Sequence, residues 1–193
     1  LKTLTASLAT DRTHRERFHR EIRLASNLHH TNIVPVFETG TYAGTPFFTM
    51  QLIDGQSLER WPIQTRQLNE IERFQMAARI VCQAADALQY ANNQGILHRD
   101  IKPSNLLRDS HNIVWITDFG LARQTADGVT RTGDIVGTLR YIAPERFSTA
   151  ADHRSDLYSL GLTLYELCTL RPAFPEVDQV RLYHDILESQ PPR

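Results

Sequence analysis

The sequence predicts an α+β protein, and three observations carry that prediction. Ile33 to Glu38 and Pro46 to Met50 read as two strands joined by the hairpin-length loop Gly40-Thr41-Tyr42-Ala43-Gly44-Thr45. Asn69 to Gln94 reads as one long helix. Asn105 to Arg108 and Ile113 to Thr117 read as a second strand pair around the polar turn Asp109-Ser110-His111-Asn112. Strands in two places and a long helix between them make an α+β protein.

Taken in order, Leu1-Lys2-Thr3-Leu4 is too short to classify by periodicity. Asp11 to Leu28 reads as an amphipathic helix, with Phe18, Ile22 and Ala25 on one face and Asp11 as its cap. Arg15, Glu16, Arg17, Arg20 and Arg23 form its solvated face. His29-His30 reads as a helix-end turn, because adjacent side chains diverge and no Cys or Asp is spaced to join them on a metal. Gln51-Leu52-Ile53-Asp54-Gly55 turns from strand into polar loop. In the long helix Asn69 is the cap, Glu70 and Glu72 suit the positive end, and Gly95 is the stop. Its apolar stripe is expected along Ile71, Phe74, Ala78, Val81, Ala85 and Leu88. Residues 121–142 carry no periodic pattern, and a loop that long is functional or disordered. Asp156 opens an apolar helix to about Leu170, Arg171-Pro172-Ala173-Phe174-Pro175 breaks it, and Val177 to Ser189 is a further helix.

The chemistry concentrates between His98 and Gly120. A hairpin over 105–117 brings Asn105 and Asp118 together at its open end. Two oxygen donors side by side suit Mg²⁺, a hard cation usually shared with substrate phosphates. Just upstream, Asp100 and Lys102 supply a carboxylate to orient a hydroxyl nucleophile and an ammonium to neutralise a phosphate. Together they read as a phosphoryl-transfer site.

These strings resemble a family. His98-Arg99-Asp100 with Asn105 five residues on resembles the catalytic loop of protein kinases, Asp118-Phe119-Gly120 their metal-binding motif, and Ala143-Pro144-Glu145 the close of their activation segment. Each tripeptide alone is weak; all three in order and at family-like spacing are specific. Lys102 follows the pattern of serine/threonine-directed members. Arg20-Glu21, Asn32-Ile33-Val34 and Arg154-Ser155-Asp156-Leu157-Tyr158-Ser159-Leu160-Gly161 are most similar to the bacterial kinases of eukaryotic (Hanks) type. The resemblance implies a two-lobed fold: residues 1–50 as a partial small lobe, 51–55 as a hinge, and 56–193 as a partial large lobe. It implies that Lys2 grips the ATP phosphates and pairs with Glu21, and that Met50 gates the adenine pocket. The backbone of Gln51 and Ile53 would bind the adenine edge. Thr130 and Thr132 fall where such kinases carry regulatory phosphates, with Arg99 as their partner. Thr138 corresponds to the substrate platform, Glu145 to half of an ion pair, and Asp156 to an anchor for the catalytic-loop backbone. No glycine-rich loop precedes Lys2, and the helices that follow in the family are missing. Both ends therefore look cut, and such a piece alone is expected to be a poor kinase.

Composition narrows the rest. A chain of 193 residues with net charge −1 holds one good core and offers no polybasic surface, so neither nucleic acid nor a membrane is expected as a partner of this segment. Cys82 and Cys168 sit in helical apolar patterns and are expected as buried thiols in a reducing, cytoplasmic setting. There is no apolar run of about 18 residues, although a parent chain could be membrane-anchored elsewhere. The expected partners are ATP, Mg²⁺ and proteins bearing Ser or Thr acceptors. Two rivals are a non-catalytic pseudokinase scaffold and a small-molecule kinase on the same fold. Loss of Asp100, Asn105 or Asp118 would mark the first, and absence of the Thr-rich segment and Ala-Pro-Glu closure the second; neither mark is present.

Overall fold

The structure is a computed structural model that describes residues 2–3, 12–119, 137–148 and 152–188. Asp11, Gly120, Thr130, Thr132 and Ser189, all named above, lie outside the described residues. Two three-stranded antiparallel sheets anchor the architecture. In the first, β1 (Lys2–Thr3) and β2 (Val36–Tyr42) flank β3 (Thr45–Met50). Helix α1 (Arg12–Ala25) packs on this sheet, burying Phe18 and Ile22 against Phe48, with Val36 and Met50 at the margin.

The second sheet orders β4 (Gly55–Ser57), β5 (Leu106–Asp109) and β6 (Val114–Ile116). Gly55, at the end of the expected hinge, already pairs with Asp109. A Cβ there would lie 2.6 Å from the carbonyl oxygen of Arg108, so only glycine lets the two backbones approach this closely. Ile33 was expected to open the strand that pairs with β3; it instead makes an isolated parallel bridge to Ile116. Val34 donates to the Ile116 carbonyl, Ile116 donates to that of Asn32, and the Asn32 side chain reaches Val114 O. Three buried-edge groups thereby find partners they would lack on β3.

Short helix α2 (Trp61–Gln64) inserts Trp61, whose indole N–H donates to Leu167 O at 2.8 Å. Helix α3 (Glu70–Asn93) begins in a reciprocal capping box between Asn69 and Glu72, and Gly95 follows it at φ 72°. Its buried face is only partly the expected one: Leu88 is buried, and Val81 and Ala85 pack half-buried against the core. Ile71 and Phe74 are 69% and 42% exposed, whereas Ala77, Ile80, Ala84, Ala87, Leu88 and Ala91 are buried. The large residues dominate a hydrophobicity pattern, but close approach to α4 (His153–Thr169) selects the row of alanines. Helix α4 starts before Asp156 because Asp152 caps it, accepting from Arg154 N at 2.8 Å; it ends at Leu170 with φ 59°. Helix α5 (Gln179–Glu188) packs Leu182 and Ile186 onto Leu162 and Phe174. Cys168 is half-buried and Cys82 is exposed on α3, which corrects the expectation of two buried thiols. Among the described residues no helix is long and apolar enough to cross a membrane.

Asp109 holds the turn between β5 and β6. Its Oδ1 accepts from His111 N and Ile113 N, each at 2.9 Å, and its Oδ2 from the Trp115 indole. Burial alone would raise its pKa, but these bonds together hold it below the usual aspartate value. Asp109→Ala is expected to destabilise the fold by about 1–3 kcal/mol in denaturant titration. The aspartate's contribution is complete above the ordinary carboxylate range and is lost as pH falls through its lowered folded value. A variant whose stability matched the parent at neutral pH would contradict this account.

Candidate active site

The site grows from the open end of the β5–β6 hairpin. Pro103–Asn105 forms a 3₁₀ turn that leads into β5, and Thr117 N donates across to Asn105 O at 3.0 Å. This pairing sets Asn105 beside the segment that carries Asp118. Thr117 ties the site together: its carbonyl accepts from His98 Nε2 at 2.8 Å, and its hydroxyl points to the Met50 sulfur at 3.9 Å.

His98 is fully buried and meets Phe119 edge-on at 4.6 Å between centroids. The Asp100 amide donates to its Nδ1 at 3.2 Å, so the ring hydrogen sits on Nε2 and is given to Thr117. Asp156, buried on α4, accepts from His98 N at 2.8 Å and from Arg99 N at 2.7 Å. One carboxylate thus fixes two consecutive peptides of the loop. Arg99 at φ 69° and Asp118 at φ 67° adopt the left-handed region, a cost met where surrounding bonds over-determine the backbone.

Around Asp100 the side chains converge. Lys102 Nζ lies 2.9 Å from Asp100 Oδ2 and donates to Thr138 Oγ1 at 2.8 Å. Asn105 Nδ2 donates to Asp100 O at 2.7 Å and to Asp100 Oδ2 at 2.9 Å. With both amide hydrogens given to Asp100, the Asn105 carbonyl oxygen is the atom left to meet a cation. Glu145 accepts from Ser155 Oγ at 2.7 Å, which joins the turn Pro144–Phe147 to α4.

Lys2 is placed otherwise than expected. Its ammonium, anticipated on Glu21, sits 2.5 Å from each carboxylate oxygen of Asp118. Glu21 is half-buried on α1, next to Ile22. Met50, Thr117, Asp118 and Phe119 line a small apolar cavity with Ile22 and Val36. Gln51 N already donates to Pro35 O at 3.0 Å, so the Gln51 carbonyl is what it can offer an adenine; Ile53 follows two residues on, half-buried.

Several contacts carried little or no sequence signal. The His98 ring could be suspected only from its place after the apolar Ile96-Leu97. Arg146 Nη1 donates to Arg99 O at 2.5 Å, and no motif announces it. Tyr141 donates to Glu166 Oε2, and Ser159 to Tyr141 O at 2.6 Å. Burial, then the charge of Glu166 and the bond to it, push the Tyr141 phenol far above its ordinary value, so it remains a donor throughout the working pH range. Burial also raises Glu166, a rise that Tyr141 and Arg140 moderate and Glu59 reinforces.

The family model described as protein kinase domain matches residues 1–191. The chain is 36% identical to a probable serine/threonine-protein kinase of Streptomyces coelicolor, over 99% of this chain and 29% of that protein. It is 41% identical to serine/threonine-protein kinase PknB of Mycobacterium leprae, over 90% of this chain and 28% of that one. For PknB of Mycobacterium tuberculosis the figures are 37%, 99% and 31%. The chain therefore spans about three-tenths of the length of the curated relatives it matches. The matched span takes in both sheets, the His98–Asp118 cluster and the Ala143-Pro144-Glu145 turn, and this chain belongs to the protein kinase domain family.

Proposed function

We propose that this protein is a serine/threonine kinase that moves the γ-phosphoryl group of ATP to a Ser or Thr hydroxyl of another protein. One observation carries the reading: Asp100 Oδ2 is held at 2.9 Å by both Lys102 and Asn105, while Lys102 also binds Thr138. A carboxylate held in this way can align a hydroxyl and take its proton, and the ammonium beside it can meet the charge of the arriving phosphate. Thr138, on Lys102, would form the floor on which the acceptor segment rests. Lys2 would bind the α- and β-phosphates with Glu21 nearby, and Met50, the Gln51 carbonyl and Ile53 would border the adenine.

The donor set fits Mg²⁺: one carboxylate, Asp118, and one amide oxygen, Asn105, with phosphate oxygens expected to complete the shell. When bound, the ion supplies charge neutralisation on the phosphates. Both Asp118 oxygens now carry the Lys2 ammonium. Lys2 would share or yield that carboxylate as phosphate arrives, which places the lysine at the nucleotide without a long movement. Asp156 and the Ser155–Glu145 bond serve as supports for the loop rather than as reacting groups.

The test is transfer of labelled γ-phosphate from Mg·ATP by the full-length protein to a protein acceptor, followed by phosphoamino-acid analysis. Acid-stable phosphate on serine and threonine is expected. Nucleotide binding without transfer would establish the scaffold alternative, and transfer only to small molecules would establish the other rival. Autophosphorylation is further expected at Thr130 or Thr132, with Arg99 as the cation that meets the new charge of about −1.5 to −2. A Thr130→Ala/Thr132→Ala variant should lose most activation. Full activity without phosphate elsewhere in residues 121–138 would rule this out.

A further inference from the structure

We infer that Arg146 is a positioning residue for phosphoryl transfer, acting as a cationic clamp on the peptide bond that precedes Asp100. The inference rests on the role given to Asp100 above. It starts from the peptide joining Arg99 to Asp100. The carbonyl of that peptide accepts from Arg146 Nη1 at 2.5 Å, and its N–H donates to His98 Nδ1 at 3.2 Å. The preceding N–H, that of Arg99, is held by Asp156 Oδ1 at 2.7 Å. Every polar backbone group between Arg99 N and Asp100 N therefore has a fixed partner, and three separate elements supply them.

The clamp matters because of the backbone it holds. Arg99 is a non-glycine residue at φ 69°, a conformation the chain leaves unless its surroundings retain it. The φ of Arg99 belongs to the peptide before it, whose N–H Asp156 holds. The 99–100 peptide sets ψ of Arg99 and φ of Asp100, so its rotation would re-aim the Cα–Cβ bond of Asp100. Such a rotation breaks the bonds to Arg146 and His98 at once. Of the two, the bond from Arg146 is charge-assisted and so the stronger. The guanidinium is more than half-buried among charges: Asp156 and Asp100 attract it, and Arg99 repels it. It stands on the turn Pro144–Phe147, whose own backbone bond runs from Arg146 N to Ala143 O at 3.0 Å. The turn that closes the segment after Thr138 is thus wired to the aspartate through one arginine. A shift of that turn changes the aim of Asp100 without touching nucleotide or acceptor.

A purely structural arginine and a positioning one differ in what their loss changes. Arg146→Met, made in the full-length protein, is expected to lower kcat about 10- to 100-fold, the cost of misplacing a reacting group by a fraction of an ångström to one ångström. KM for Mg·ATP and for a peptide acceptor should stay within about 3-fold, and the melting temperature within a few degrees. Arg146→Lys, which keeps one cationic donor for the single carbonyl, should recover most of kcat. A kcat for Arg146→Met within about 2-fold of the parent overturns the inference. So does a loss that follows the folded fraction, with Arg146→Lys no better than Arg146→Met. Should the Met variant not fold, Arg146→Lys and Arg146→Gln decide: kcat falling from Arg through Lys to Gln at unchanged melting temperature supports the clamp, and equal kcat values refute it. Asp100→Asn is assayed alongside. Full turnover there removes the reading of Asp100 itself, whereas an inactive Asp100→Asn beside a fully active Arg146→Met removes the clamp alone.

Discussion

Asp118→Ala is expected to abolish Mg·ATP-dependent phosphorylation, by about 10³-fold or more, in a protein that remains folded. The carboxylate is the only anionic donor in the proposed ion site, and Asn105 offers a neutral oxygen that cannot replace it. The fold should tolerate the change because Lys2, the partner left behind, is 40% exposed and keeps water on its ammonium, so loss of the pair costs about 1 kcal/mol or less. The backbone adds a complication: Asp118 sits at φ 67°, which Asp and Asn accept more readily than Ala. Asp118→Asn separates the effects, since it keeps the shape and the backbone preference while removing the charge. Both variants should lose transfer together. A folded Asp118→Asn protein with undiminished phosphoryl transfer would contradict the assignment.

The second large effect is expected at Asp100. Asp100→Asn leaves an oxygen for Lys102 and Asn105 to hold, so the 2.9 Å contacts can persist in form. What disappears is the base. Turnover should fall about 10²- to 10⁴-fold, the usual contribution of a positioned general base, while the Kd for Mg·ATP changes by less than about 3-fold. Isothermal titration beside single-turnover kinetics measures the two quantities separately. A loss of ATP affinity equal to the loss of rate would mean that Asp100 serves the nucleotide rather than the hydroxyl.

Much of this site was legible in the residues because its parts lie close together in sequence. His98 to Asp118 is one loop and one hairpin, and a period-two pattern with a polar turn is enough to place Asn105 near Asp118. The helix caps at Asn69 and the stop at Gly95 were equally local. What escaped was set by packing between distant segments. Hydrophobic periodicity ranks isoleucine and phenylalanine above alanine, so it chose Ile71 and Phe74 where α4 chose Ala77, Ala84 and Ala91. Cys82 followed the same mistaken stripe. The Lys2–Asp118 contact joins residues 116 apart in sequence, so no local pattern announces it. Asp152 caps its helix through a single bond to Arg154 N, which hydrophobic periodicity does not register. Arg146 had no sequence signal, since its partner is a backbone carbonyl that any residue at position 99 would provide.

The parallel bridge between Ile33 and Ile116 also governs how the two sheets can move. It runs beside the Gln51–Asp54 crossing, so the sheets are joined by two adjacent straps rather than one. A pair of straps acts like a door with two leaves of its butt fixed along one edge. Such a joint would let the first sheet swing about that edge, which would open or narrow the gap between Met50 and the hairpin that carries Asn105. It resists sliding, because a slip of one residue would break the bonds from Val34 N, Ile116 N and the Asn32 side chain together. By the two-residue alternation of extended chain, the same slip would turn Ile33 out of the core it shares with Leu106 and Val114. Any change in the width of the gap would therefore leave the register between its walls constant.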